Sequence, residues 1–393
     1  MKKFAQIGIF LLTIALTVLL IFPAARALDF KISGQLNRAV LWGDNGNDDD
    51  IKFVDNENSS TRFRFTGSND FDDAWTAGFK WEVQMESNTS IDKTLDKGDD
   101  YGTDVAAGDD PFDAEGVIDI GSNGDAGDIT FTERHMDIYV EHKMFGKLSL
   151  GQGDTASNST SEVDLSGTTV VMYSSISDLA GGFTFRDKNN NVILDSGNNF
   201  TFIGNVFSNF DGFSRRDRIR YDTPKFGPVF FSASYMNGQS YDVAGRFAYE
   251  WEGFGKLAAA ASWLPAETQR DSFRQYSGSI SFLHNSGFNL TFSGAHRYNA
   301  DNRDDDPWNA FGKVGYKMDK WAFGVDYTYS ENIDLDDDEA QSIGVGAVWT
   351  PWQSVEIYGA YRWHDLDRDN QNALNSGSPQ DIHAVMIGSR VKF

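Results

Sequence analysis

The chain has 393 residues, with 34 basic against 58 acidic side chains for a formal charge of −24, and it contains 38 Gly, 8 Pro, 31 Phe, 14 Tyr, 10 Trp and no Cys. The missing Cys removes disulfides, thiolate nucleophiles and Cys-ligated metals, the acidic balance makes nucleic acid a poor partner, and the aromatic content argues against disorder. A mean hydropathy of −0.44 excludes a polytopic helical membrane protein, yet it permits a transmembrane barrel, whose inner face and loops are polar.

At the start, Lys2 and Lys3 precede an apolar stretch from Ile7 to Phe22, followed by Pro23 and the small-residue pattern Ala25-Arg26-Ala27. The pattern predicts a secretory signal peptide over 1–27, cleaved after Ala27, and a single mature domain over 28–393. Cleavage removes Lys2, Lys3 and Arg26, which takes the formal charge from −24 to −27.

The mature chain alternates with period two. Trp75, Ala77, Phe79, Trp81, Val83 and Met85 share one face of a strand whose other face carries Thr76, Gly78, Lys80, Glu82, Gln84 and Glu86. Sixteen such strands are predicted: 29–42, 61–69, 75–86, 132–141, 147–152, 215–223, 229–236, 242–251, 256–264, 273–283, 288–298, 308–317, 321–330, 341–350, 355–364 and 381–393. Tight connections such as Asp70 to Ala74 and His284 to Gly287 separate longer ones, among them Gly43 to Ser60, Ser87 to Phe131, Gly153 to Ser214 and Asp365 to Gln380. An even strand count, short turns at one end and long loops at the other predict an all-β, antiparallel up-and-down transmembrane barrel with short periplasmic turns and long extracellular loops. Nine of the ten Trp fall near strand ends, as amphipathic aromatics do at membrane interfaces. Core aromatics of a soluble β-sandwich are the competing explanation. One residue fits badly: Arg38 falls in register with Phe30, Ile32 and Leu36, which calls for a bulge or an early exit from the membrane.

No G-x-S-x-G, H-E-x-x-H or P-loop pattern is present, so no enzyme and no cofactor is indicated. Gly151 to Ala156 matches the loose form of a dinucleotide fingerprint, but without a βαβ unit around it the segment reads as a strand end. Asp365, Asp367 and Asp369 have the alternate spacing of a calcium loop, yet Asn370 and Ser376 replace its Gly and Glu. This run, together with Asp48 to Asp50, Asp304 to Asp306 and Asp336 to Glu339, reads as solvated loop tips, and no metal is expected.

The informative constellation is basic. Arg216, Arg218 and Arg220 project to one side of a strand; facing lipid they would cost about 2–4 kcal/mol each at the midplane, so they are expected in the lumen. Arg62, Arg64 and Lys80 join them by the same logic. The long connection after Gly153 brings Asp154, Glu162 and Asp164, and folded inward it would set carboxylates across from the arginines in a narrow, low-dielectric passage. A basic wall paired only with carboxylates of neighbouring strands is the plainer alternative.

Several segments resemble a known family: Ser33 to Ala39 in the first strand, Arg62-Phe63-Arg64-Phe65-Thr66-Gly67 in the second, Phe145 to Gln152, Arg220 to Gly227, and the terminal Phe393. Over essentially the whole mature chain they are similar to the sixteen-stranded trimeric general porins of Gram-negative bacteria. The resemblance implies a homotrimer in outer-membrane lipid and lipopolysaccharide, a third long loop folded into the lumen, a terminal aromatic read by the barrel-assembly machinery, and passive diffusion of small hydrophilic solutes and ions. The chain lacks the Pro-Glu-Phe-Gly segment of the enterobacterial loop tip, which leaves the acidic side chains at the narrowest point open. A non-conducting structural or adhesive barrel is the alternative function. With both signs of charge at the constriction and −27 overall, weak selectivity leaning to cations and fading with salt is expected.

Overall fold

The computed structural model describes residues 28–95, 131–194, 199–237, 240–265, 273–298, 305–368 and 378–393, with the backbone of 118, 119 and 130. The expected signal peptide over 1–27 lies outside the described residues, as do Asp304, Asp369, Asn370 and Ser376. The strands are β1 (Asp29–Asp44), β2 (Asp49–Asp55), β3 (Arg62–Asp70), β4 (Trp75–Glu86), β5 (Ile118–Asp119), β6 (Thr130–His142), β7 (Gly146–Asp154), β8 (Arg215–Asp222) and β9 (Val229–Met236). They continue with β10 (Tyr241–Trp251), β11 (Gly255–Leu264), β12 (Arg274–His284), β13 (Phe288–Tyr298), β14 (Trp308–Met318), β15 (Trp321–Glu331), β16 (Glu339–Trp352), β17 (Val355–Asp367) and β18 (Ile382–Lys392).

Every ladder is antiparallel, and β18 pairs with β1 to close the sheet into a barrel of sixteen wall strands, with β2 and β5 as additions. All sixteen predicted strands are present. The burial pattern on β15 explains why these segments become wall: Val325 is 53% exposed on the outer face while its neighbour Asp326 is 2% exposed on the inner one. Apolar groups out and polar groups in is the inverse of a soluble core, and it suits a sheet with lipid outside and a hydrated or packed lumen inside.

Two features depart from the expected layout. β1 changes partner part-way: Asp29 to Gln35 pair with β3, whereas Arg38 to Asp44 pair with β2. β2 falls in what reads as a loop, because its acidic lead Asp48-Asp49-Asp50 hides the short alternation of Ile51 and Phe53 outward with Lys52 and Val54 inward. Arg38 therefore needs neither a bulge nor an exit. It stands at the fork between β2 and β3, its guanidinium 2.7 Å from the buried Asp55 carboxylate, in an unbroken register with β18.

The second departure is a β-bulge. Glu82 pairs with His135 but Val83 pairs with Glu133, so Arg134 is the extra residue on β6. A bulge re-aims side chains that strict alternation would send to opposite faces. Here both Arg134 and His135 reach lumen groups, Arg134 through Glu82 and His135 through Asp154.

Candidate functional site

Residues 155–214 connect β7 to β8, and 155–194 and 199–214 run along the inner wall. Their first stretch, Thr155 to Ser161, is short and polar, and the strands beneath it carry serines on their inner face. The irregular backbone finds its partners there, as a buried loop must. The Ala156 N–H donates to Ser234 Oγ at 2.6 Å, the Val163 N–H to Ser279 Oγ at 2.8 Å and the Leu165 N–H to Ser281 Oγ at 2.9 Å. Arg246 clamps the entry by donating to the carbonyls of Ala156 and Asn158 at 2.9 and 2.7 Å.

The next stretch is apolar. Val170, Met172, Leu179, Phe183, Phe185 and Phe207 are buried with Leu41, Phe311, Val348, Tyr358, Ile382 and Met386 of β1 and β14 to β18. Burial of each large apolar side chain contributes roughly 1.5–3 kcal/mol. Approach is close because the wall is small there: a Cβ on Gly43 would fall 2.1 Å from the Phe183 ring. Half the lumen is thus a dry core.

The other half is charged. Glu82 on β4 is shared by four cations: Arg64 on β3 donates to it at 2.5 Å, Arg134 on β6 at 3.0 Å, Lys80 lies at 3.5 Å and Arg62 at 3.8 Å. Four cations share this carboxylate, and Asp154 and Glu57 lie close enough to act on Lys80 and Arg134. Arg64 is the most open of them, its side chain 39% exposed.

Beside this cluster, Asp154 at the end of β7 meets Arg215 at 3.1 Å and His135 at 3.4 Å. Arg218 lies flat over β7, donating to Asp137 at 2.6 Å and to the carbonyls of Gly151 and Asp154 at 3.0 Å each. Gly153 is required beneath it, since a Cβ there would sit 2.7 Å from the guanidinium. Arg220 is paired with Asp222 at 2.8 Å and donates to the Thr155 carbonyl at 2.8 Å. Arg216 rests over the Phe213 ring at 4.6 Å.

On the loop, Glu162 accepts from Asn209 at 3.0 Å. Burial pushes the Glu162 and Asp211 carboxyls up, although the positive field of Arg215 opposes the shift in both. Burial and the neighbouring Glu57 carboxylate push Asp178 up to about 7.

The family model described as Gram-negative porin matches residues 15–369. The chain belongs to that family. This porin matches solved structures at low identity: an anion-selective porin from Comamonas acidovorans at 14% identity and a TM-score of 0.55, covering 93% of this chain and 100% of that one. The outer membrane channel DcaP of Acinetobacter baumannii aligns at 12% and 0.54 over 95% and 99% of the two chains. OmpF of Salmonella typhi, in complex with daunomycin, aligns at 14% and 0.53 over 93% and 97%. A search of curated proteins found no match. Likeness at this level shows the barrel fold, and family and fold together make the protein an outer-membrane channel.

In this porin the nine charged residues singled out from the sequence are divided among several contacts. Arg62, Arg64 and Lys80 converge on Glu82; Arg218 and Arg220 are tied to Asp137 and Asp222; Asp154 meets Arg215. Asp164 pairs instead with Lys313 on the far wall, on β14. Sequence reasoning passed over Glu82, which was visible on the polar face of its strand, and Arg134, which the bulge takes out of register. Phe393 exchanges both backbone hydrogen bonds with Gly34, at 2.9 and 3.0 Å, and its ring is 64% exposed.

Proposed function

We propose that this porin is a diffusion channel for small hydrophilic solutes and ions, whose narrow passage runs between the cationic strip of Arg62, Arg64, Lys80 and Arg134 and the loop bearing Glu162. The observation that carries the reading is the Glu82 carboxylate shared by four cations on the half of the lumen that the apolar cluster leaves free. Arg216, Arg218 and Arg220 belong to the same wall; the last two, already matched by Asp137 and Asp222, shape the passage more than they charge it. Such a site orients polar solutes in a transverse field and asks no acid-base or nucleophilic chemistry of the protein.

Two effects compete for selectivity. Exposed acidic loops enrich cations at the mouth, and their reach is about 8 Å at physiological salt. The strip acts on every permeating ion at contact range, and the raised Glu162 and Asp211 carboxyls weaken its opposition. Weak selectivity is therefore expected at low salt, moving toward anions as salt rises. Reversal potentials in asymmetric KCl at low and high concentration test the sign; a cation preference that persists in high salt refutes it.

A second reading has an observation in its favour. The buried cluster between the loop and β14 to β18 is what a plugged, non-conducting structural or adhesive barrel would have. A planar-bilayer recording separates the two, because discrete conductance steps are expected only from the channel. We further infer export by a signal peptide over 1–27, assembly through the barrel-assembly machinery with Phe393 as its signal, and a homotrimer in outer-membrane lipid and lipopolysaccharide; an OmpT structure of Vibrio cholerae is described as a trimer form. Mass spectrometry should find Leu28 at the mature N-terminus, and deletion of Phe393 should lower the level of assembled barrel.

A further inference from the structure

We propose that Lys313 on β14 is the positioning residue that sets the bore of the channel, by holding residues 164–172 against the wall opposite the cationic strip. The inference rests on the channel reading above. The Lys313 side chain is fully buried, and its ammonium meets the Asp164 carboxylate, donates to Thr168 Oγ1 at 3.0 Å and donates to the Met172 carbonyl at 2.8 Å. An ammonium has three protons and no acceptor, so these three partners satisfy it.

All three come from one short stretch of the loop. Lys313 thereby fixes that stretch at its beginning, middle and end, where Val170 and Met172 enter the apolar cluster that fills the dry half. The wall beneath is built to receive it. Ser166 packs so close that its Cβ would be 3.1 Å from a Cβ on Gly315, and Thr168 Oγ1 would be 3.4 Å from one on Gly324. A larger residue at either glycine would lift the segment off the sheet.

The neighbouring buried pair works differently. Arg362 binds Asp326 at 2.8 Å, and both belong to the wall, so that pair ties strand to strand. The first part of the loop is held at its entry by Arg246, Arg220 and the Asp242 carboxylate and then by serines; Lys313 is the charged group that grips the segment where it crosses to the far wall. Released there, residues 164–172 would swing into the free half of the lumen or out of it, and the passage would change in width.

Single-channel conductance and the size limit for neutral sugars in liposome swelling test the proposal. Lys313→Met keeps most of the stem of the side chain and removes its donors; a rise of roughly two-fold in conductance, larger gating noise and entry of larger sugars are expected. Lys256→Met, at an exposed lysine on β11 paired with Glu250, should match wild type. If Lys313→Met does not assemble, Asp164→Ala with Thr168→Val removes two of the three partners and should give the same rise. Wild-type conductance in either variant overturns the assignment. A wild-type protein that gives no conductance at all overturns the channel reading instead, and this inference with it.

Discussion

The two halves of the lumen are built from the same alternating strands and differ only in what their inward positions carry. On β3, β4 and β6 those positions hold Arg62, Arg64, Lys80, Glu82 and Arg134; on β15 to β18 they include Ala322, Ala340, Ala360 and Ala384. Small side chains let an irregular loop come close enough to bury Phe183 and Met172, whereas long guanidinium groups would lose their water without gaining enough partners. The loop therefore packs onto one half and leaves the other wet. The position of the passage follows from side-chain size and charge on a uniform scaffold.

Substitutions that exchange the properties of the halves test this contrast. The largest effect is expected at Phe183, fully buried against β1: Phe183→Ala should cost about 3–5 kcal/mol of loop seating. Limited proteolysis within residues 155–214 and a broader conductance distribution would report it. Arg64→Ala on the wet half should cost no more than about 1 kcal/mol, and equal losses at the two sites would break the comparison.

Next is Glu82→Gln, which leaves four cations without their shared carboxylate. A loss of about 1–3 kcal/mol in thermal or denaturant unfolding is expected, with a marked shift of the reversal potential toward anions. An unchanged potential would mean that permeating ions do not pass this cluster.

A smaller effect follows from Asp178 on the loop, whose carboxyl is raised from 3.8 to about 7. A raised acid favours the folded, protonated form, so its contribution to seating is full below the ordinary value and is lost as pH climbs through about 7. Gating noise should therefore grow between about pH 5 and pH 8, and Asp178→Asn should flatten that dependence. Noise that falls over the same range would reverse the sign. The mildest test is labelling: Arg64→Cys should react with a charged water-soluble thiol reagent, and Val325→Cys, on the outer face of β15, should not.

Much of this was legible before any coordinates. The strands could be read because a barrel wall between two unlike environments enforces period two over its whole length, and the inward direction of Arg62, Arg64 and Lys80 follows from the same periodicity. What escaped is where periodicity is silent. Arg134 lies in a bulge, whose extra residue breaks the alternation by which a face is assigned. β2 is too short for its pattern to outweigh three adjacent aspartates. Ala322, Ala340 and Ala360 look alike whether they line water or receive a loop, so the dry half had no signature of its own. Asp164 was visible as an acid on the loop, but its partner Lys313 sits 149 positions later on a strand with its own alternation, and nothing local links the two.

The closing seam has a consequence for how the chain acquires its shape. β1 is made first and meets β18 last: Gln35 pairs with Lys392, 357 positions further on, and Gly34 takes the backbone of Phe393 itself. Until the last strand arrives, β1 has an unpaired edge, the kind that invites pairing with a foreign strand. The entropy of bringing such distant ends together grows only as the logarithm of the separation, about 0.6 kcal/mol per doubling, so the demand is one of time more than of stability. β2 bears on that interval. By folding back onto the upper part of β1 only a few residues after it, this short strand covers half of the other edge early, and the first strand waits for its final partner already half dressed.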